Sequence, residues 1–134
     1  MKHDFYIGQK ICEEKVFTSQ DVERFAQISG DCNPIHLNAE YAKKSRFGGT
    51  IVHGILLTSL ISKIIGMDLP GEGSIYMEQK LKFKKPVYVG EKIIAQVVII
   101  EIDNEKSIYT LSTDIYNLKD QCVVQGTAKV LYER

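Results

Sequence analysis

The spacing of polar and apolar positions changes about halfway along the chain. Residues 17–66 follow a helical repeat, whereas residues 80–132 alternate or run in short blocks of β-formers. Thr18-Ser19-Gln20-Asp21 fits the S/T-x-x-D/E pattern of a helix start, with Phe17 and Val22 placed to staple the entering chain. Val22, Phe25, Ala26 and Ser29 continue at helical spacing, and Gly30 supplies a stop. Pro34 disfavours the α conformation at Asn33, so residues 31–37 are expected to be irregular rather than helical. Asn38 can cap a short second helix through Tyr41 and Ala42, whose basic end (Lys43, Lys44, Arg46) suits the helix dipole, with Gly48 and Gly49 ending it. A third helix is predicted over residues 54–66. Its Ile55, Leu56, Leu57, Leu60, Ile61, Ile64 and Ile65 cover most of the circumference, and the polar remainder is mostly small, the pattern of a buried helix.

After Pro70-Gly71 the pattern becomes that of strands. Leu81 and Phe83 alternate with Lys80, Lys82 and Lys84, as in a strand with one wet face, and Pro86 and Gly90 punctuate it. Residues 92–102, 107–118 and 122–132 form three further β-rich segments, the last with Cys122, Val124, Ala128, Val130 and Tyr132 on one face. Short turns at Asn104-Glu105 and Lys119-Asp120 make these an antiparallel meander. An early strand over residues 11–17 brings the sheet to about five strands. The expected fold class is α+β: a single domain over residues 1–134, with one long buried helix wrapped by a curved antiparallel sheet whose Lys-bearing face stays wet.

Composition narrows the function classes. A chain of 134 residues, 44% hydrophobic and 25% charged, has the size and balance of one folded domain. Lys plus Arg equals Asp plus Glu at 17 each, so no net field favours nucleic acid or an acidic membrane. The longest apolar stretch, residues 51–67, is interrupted by His53, Gly54, Thr58, Ser59, Ser62 and Lys63 and is too short and polar to span a bilayer. Met1-Lys2-His3-Asp4 lacks the apolar core of a signal peptide. Cys12, Cys32 and Cys122 are odd in number and without CxxC spacing, which argues against a disulfide framework or a zinc site. A cytoplasmic location without membrane or nucleic-acid partners is expected.

The chemistry concentrates in Ser29-Gly30-Asp31-Cys32-Asn33-Pro34-Ile35-His36. Asp31 and His36 sit on a proline-stiffened loop between two helices, which can aim a carboxylate and an imidazole at one water, the Asp as base and the His as hydrogen-bond partner or proton donor. Asn33 offers an amide between them to orient a carbonyl or the catalytic groups. Gly54 opens the third helix, where backbone N–H groups lack internal partners and can receive the oxygen of a thioester as it becomes enolate-like.

Ser29 to Asn38 in that order, then Ala42, Phe47-Gly48 and Ile51-Val52-His53-Gly54, resembles the MaoC-like (R)-specific enoyl-CoA hydratases, or hydratase 2. The resemblance implies a hot-dog fold, a homodimer, and reversible syn hydration of a trans-2-enoyl-CoA to the (R)-3-hydroxyacyl-CoA without cofactor or metal. It places the catalytic pair on Asp31 and His36, the active-site amide on Asn33, and the thioester-binding N–H on Gly54. Asn38 stands where many members carry Asp, and either residue caps a helix.

Blander readings stand beside these. Asp31 and Asn33 are common loop formers, and His53 is read as structural because it merely precedes a helix. Cys32 is read as a small buried or half-exposed residue rather than a nucleophile paired with His36. Asp31, His36 and His53 lack a fourth ligand at recognisable spacing, so no metal is expected. Lys80, Lys82, Lys84 and Lys85 read first as a solvated face and second as a site for CoA phosphates. The leading function is hydration of a short enoyl-CoA. A thioesterase or acyl-carrier-protein dehydratase on the same fold is the alternative, disfavoured because residues 54–66 contain no Asp or Glu. A non-catalytic acyl-CoA-binding module comes third.

Overall fold

The computed structural model describes residues 4–133, so the sequence reading at residues 1–3 lies outside it. The elements run β1 (Lys10–Val16), α1 (Ser19–Ser29), α2 (Pro34–Leu37), α3 (Ala39–Lys43), α4 (Gly54–Met67), β2 (Ile75–Phe83), β3 (Lys92–Asp103), β4 (Ile108–Asn117) and β5 (Cys122–Leu131). The sheet order is β1-β3-β4-β5-β2, antiparallel throughout, so the meander β3-β4-β5 forms the centre and β1 and β2 the edges. Register shifts at Tyr76/Glu78, Ile99/Glu101 and Ile115/Tyr116 mark bulges, which bend and twist the strands carrying them. The two meander turns close with Ser107 (φ 58°) and Asp120 (φ 59°) in the left-handed region.

The core lies between α4 and the inner face of the sheet. Leu57, Leu60, Ile61, Ile64 and Ile65 of α4 pack with Val97 and Ile99 of β3, Leu111 and Ile115 of β4, and Val124 and Val130 of β5. On β3 and β4 buried and half-buried positions alternate, as period-2 side-chain direction requires. The fold is the expected α+β arrangement of one long helix against a five-stranded antiparallel sheet.

Two expectations need correction. Residues 34–37 do form a helical turn, because proline fits the first helical position, where its missing N–H costs no hydrogen bond. The restriction imposed by Pro34 acts only on Asn33, which is extended at ψ 126° and caps the turn. The second correction concerns α4, which is not buried on all sides. Its inner stripe is enclosed, but Ile55, Ser59, Ser62, Lys63 and Met67 are exposed along the other side. Smaller differences are that α3 ends at Lys43, ahead of Gly48, and that α4 extends to Met67.

Candidate active site

Three segments meet beside the start of α4. The capping box of α1 forms as its sequence suggests. Thr18 Oγ1 accepts from the Asp21 N–H at 3.2 Å, Asp21 Oδ2 accepts from the Thr18 N–H at 2.9 Å, and Phe17 and Val22 are buried. At the other end Gly30 adopts φ 82°, a left-handed turn that sends the chain into the loop carrying Asp31. Ser29 Oγ donates to the Phe25 carbonyl at 2.6 Å and accepts from the Asp31 N–H at 3.1 Å. Asp31 Oδ1 accepts from the Asn33 N–H at 3.2 Å, and Asn33 Oδ1 from the Ile35 N–H at 3.3 Å. Each link fixes the next residue, so the loop is ordered by side chains rather than by a backbone ladder. The opposing segment is held by Val52 N–H to the Val87 carbonyl at 2.8 Å, next to the bridge between Ile51 and Tyr88.

Asp31, His36 and His53 come together there, one ligand atom from each lying within 4.8 Å of the others. His36 Nδ1 is 2.7 Å from the Ile51 carbonyl. A carbonyl only accepts, so Nδ1 donates to it and Nε2 is the ring nitrogen that this bond leaves unengaged. His53 Nε2 is 3.0 Å from the main-chain carbonyl of Asp31, so it donates there, and His53 Nδ1 is buried without a partner among the described residues. The His53 ring is 2% exposed, stacks on His36 at 3.9 Å and 28°, and meets the Phe25 edge at 4.7 Å. His53 is therefore more than the residue before a helix. It tethers the backbone of Asp31 and supports the ring of His36. Nothing in the spacing of residues 31, 36 and 53 announces this, because the contact is made through a backbone atom and a ring face.

His36 and Gly54 line one cleft of about 520 Å³, walled by apolar side chains including Phe47, Ile51, Leu57 and Phe83, with Arg46, Lys84 and Lys85 as its charged members. Asp31 and Asn33 are not part of that wall. Asp31 reaches the site through its proximity to His36, and Asn33 is chiefly the cap of α2. No side chain caps the amino end of α4, so the first N–H groups of the helix are not consumed by a capping residue. An added Cβ at Gly54 would stand 2.7 Å from Phe83 Cε1, so glycine lets that ring lie against the helix start, a contact absent from the sequence reading. Cys32 is exposed rather than buried or half-exposed as expected, and its Sγ lies 3.9 Å from the Ala26 carbonyl at the end of α1.

Two imidazoles and a carboxylate are also a donor set for a transition metal. Lone pairs lie in the ring plane, however, and two rings stacked at 3.9 Å and 28° direct theirs side by side rather than at one point. The geometry fits a water-holding pair better than a metal centre.

Known proteins resemble this chain over most of its length. The MaoC like domain matches residues 4–117. An "(R)-specific enoyl-CoA hydratase" of Aeromonas caviae is 43% identical over 124 residues, covering 92% of this chain and 92% of its own. A mitochondrial "3-hydroxyacyl-[acyl-carrier-protein] dehydratase" of Arabidopsis thaliana is 34% identical, covering 93% of this chain and 76% of its own. The solved (R)-hydratase from A. caviae, described as involved in PHA biosynthesis, superposes with a TM-score of 0.95 at 40% identity, over 98% of this chain and 100% of that one. With the family match running over most of its length and its fold superposing on a solved (R)-hydratase, the chain belongs to the MaoC-like domain family and has the hot-dog fold of its (R)-hydratases.

Proposed function

We propose that the chain is an (R)-specific enoyl-CoA hydratase, a hydro-lyase that adds water reversibly and syn across the double bond of a short trans-2-enoyl-CoA. The observation that carries this is the pairing of Asp31 with His36, whose Nδ1 is locked to the Ile51 carbonyl, beside a cleft that also contains Gly54. One water held at ~2.8 Å from each group spans a separation of this size. The Gly54 N–H receives the thioester oxygen and makes the β-carbon electrophilic. Asp31 takes a proton from the water as hydroxide adds at C3, and that same proton passes to the α-carbon on the same face, directly or relayed through His36 Nε2, which restores both groups. Asn33 orders the loop through its cap, leaving its NH₂ group for substrate or water. The steps use these side chains and the backbone N–H without a cofactor.

The acyl-carrier-protein dehydratase alternative is supported by the 34% identity to the plant dehydratase. Against an acid-dependent thioesterase stands α4, which contains no Asp or Glu between Gly54 and Met67. A non-catalytic binding module would have no use for the Asp31–His36 pair.

A cytoplasmic homodimer accompanies this reading. No helix among the described residues is long and apolar enough to cross a membrane, and the three cysteines are free, as is common in a reducing compartment. β2 is an edge strand with Ile75, Met77 and Phe83 exposed, a surface suited to pairing with a second copy. Sedimentation at twice 15.2 kDa checks the dimer.

Purified protein mixed with crotonyl-CoA should bleach the enoyl-thioester absorbance and yield (R)-3-hydroxybutyryl-CoA. Release of free CoA without hydration would establish the thioesterase, and the (S) product would overturn the stereochemical assignment.

A further inference from the structure

We propose that Ser29 is a positioning residue for the hydration step, its hydroxyl tying Asp31 to the end of α1 across the glycine that separates them. The proposal rests on the reading of Asp31 as the base and adds to it the group that holds that base in place.

Asp31 follows the least restrained joint of the site. Gly30 has no Cβ and stands at φ 82°, so its own torsions do little to fix the direction in which the chain leaves α1. Asp31 belongs to no helix or strand and is exposed, so neither a backbone ladder nor enclosing side chains hold it. Three hydrogen bonds do, and each takes a different part of the residue. Its N–H donates to Ser29 Oγ at 3.1 Å, its carbonyl accepts from His53 Nε2 at 3.0 Å, and its Oδ1 accepts from the Asn33 N–H at 3.2 Å. Oδ2 has no partner among the described residues and is the oxygen left for a water.

The three bonds restrain different things. Asn33 lies further along the same loop, so its bond shapes the loop without anchoring it. His53 holds Asp31 from the side of α4. Ser29 holds it to α1, because the same Oγ that accepts from Asp31 donates to the Phe25 carbonyl at 2.6 Å, inside the last turn of the helix. A hydroxyl engaged in both directions is fixed at both ends. Water could satisfy the exposed Asp31 N–H in its place, but a water is not attached to the helix, so the bond would survive and its direction would not. An aspartate has only two side-chain torsions, so a shift of its backbone passes directly to the carboxylate. His36 stands on α2 and is held to the Ile51 carbonyl, so it does not follow that shift. Rate depends steeply on the alignment of two such groups.

The test is steady-state hydration of crotonyl-CoA by wild type, Ser29→Ala, Ser29→Thr, Asp31→Asn and the Ser29→Ala/Asp31→Asn double variant, each checked for folding by its melting temperature. Ser29→Ala should lower kcat about tenfold with KM changed less than about twofold, because alignment is lost and binding is not. Threonine keeps the hydroxyl, can make the same bond to the Phe25 carbonyl, and has room for its methyl at this exposed position. Ser29→Thr should therefore stay within about threefold of wild type. Because the serine acts through Asp31, the double variant should turn over as slowly as Asp31→Asn and no slower. The proposal is overturned by Ser29→Ala at the wild-type kcat, by a loss confined to KM, by Ser29→Thr as slow as Ser29→Ala, or by a double variant slower than Asp31→Asn by the full factor that Ser29→Ala shows alone. Failure of the underlying reading looks different. A wild type inactive towards crotonyl-CoA and longer enoyl-CoAs removes both, whereas an active wild type that Asp31→Asn slows and Ser29→Ala leaves untouched removes only the role of Ser29.

Discussion

An imidazole buried as deeply as His53 has few ways to use two ring nitrogens. One donates to the main chain at Asp31, and the ring face carries His36, so a single side chain touches both members of the proposed pair without facing the cleft itself. It is a positioning residue, and small displacements of catalytic groups are costly because rate depends steeply on alignment. His53→Gln keeps an N–H donor near the position of Nε2; His53→Leu fills the space but removes the donor. The leucine variant should lose kcat by about 10- to 10²-fold with KM changed little, and the glutamine variant should recover most of that loss. Equal activity of the two folded variants in steady-state kinetics would reduce His53 to packing. Asp31 and His36 were legible in the sequence because their chemistry and the loop that carries them lie within six residues. His53 was not, because its link to Asp31 runs through a backbone carbonyl 22 residues away.

Element boundaries were legible wherever a local rule sets them. Thr18, Gly30 and Asn38 act within four residues of themselves, and each marks a helix end in the structure. The turn at residues 34–37 was missed because proline has opposite effects on its two sides, excluding the α conformation behind it and favouring a helix start ahead of it. The bulges at Ile99/Glu101 and Ile115/Tyr116 have no local signature, since they arise from how partner strands fit. The α1 cap supplies a stability test. Thr18→Ala should cost about 1 kcal/mol in urea unfolding at neutral pH. The backbone N–H of Thr18 holds the Asp21 carboxyl below its usual value, outweighing the opposing effect of partial burial. Because the folded pKa is the lower one, the carboxylate's contribution is complete above the ordinary carboxylate range near ~4 and is lost as pH falls through the folded value. The gap between wild type and Asp21→Asn should therefore narrow in acid, and a gap constant from neutral pH to pH 3 would contradict this origin.

At the scale of the molecule, the pattern gave the number of strands and the meander but not the pairing of the edges. β1 crosses to β3 and β2 to β5, and those choices depend on where α4 lies rather than on any short stretch of sequence. The same limit explains the error about α4. Its composition shows that it is apolar nearly all round, but a single sheet can cover only one side of it. The exposed Ile55 and Met67, like the apolar edge of β2, are surfaces that the isolated chain does not bury. What the fold does accomplish in one chain is to bring the end of α1, the turn at α2 and the start of α4 to one point, so that the Asp31 carboxylate lies beside His36, which lines one cleft with the uncapped helix start. The central claim is that Asp31 and His36 activate a single water there. Turnover of crotonyl-CoA by Asp31→Asn, with folding verified by circular dichroism and melting temperature, tests it most directly. The account predicts a loss of about 10²-fold or more in kcat with the fold intact; a folded Asp31→Asn protein turning over near the wild-type rate would contradict it.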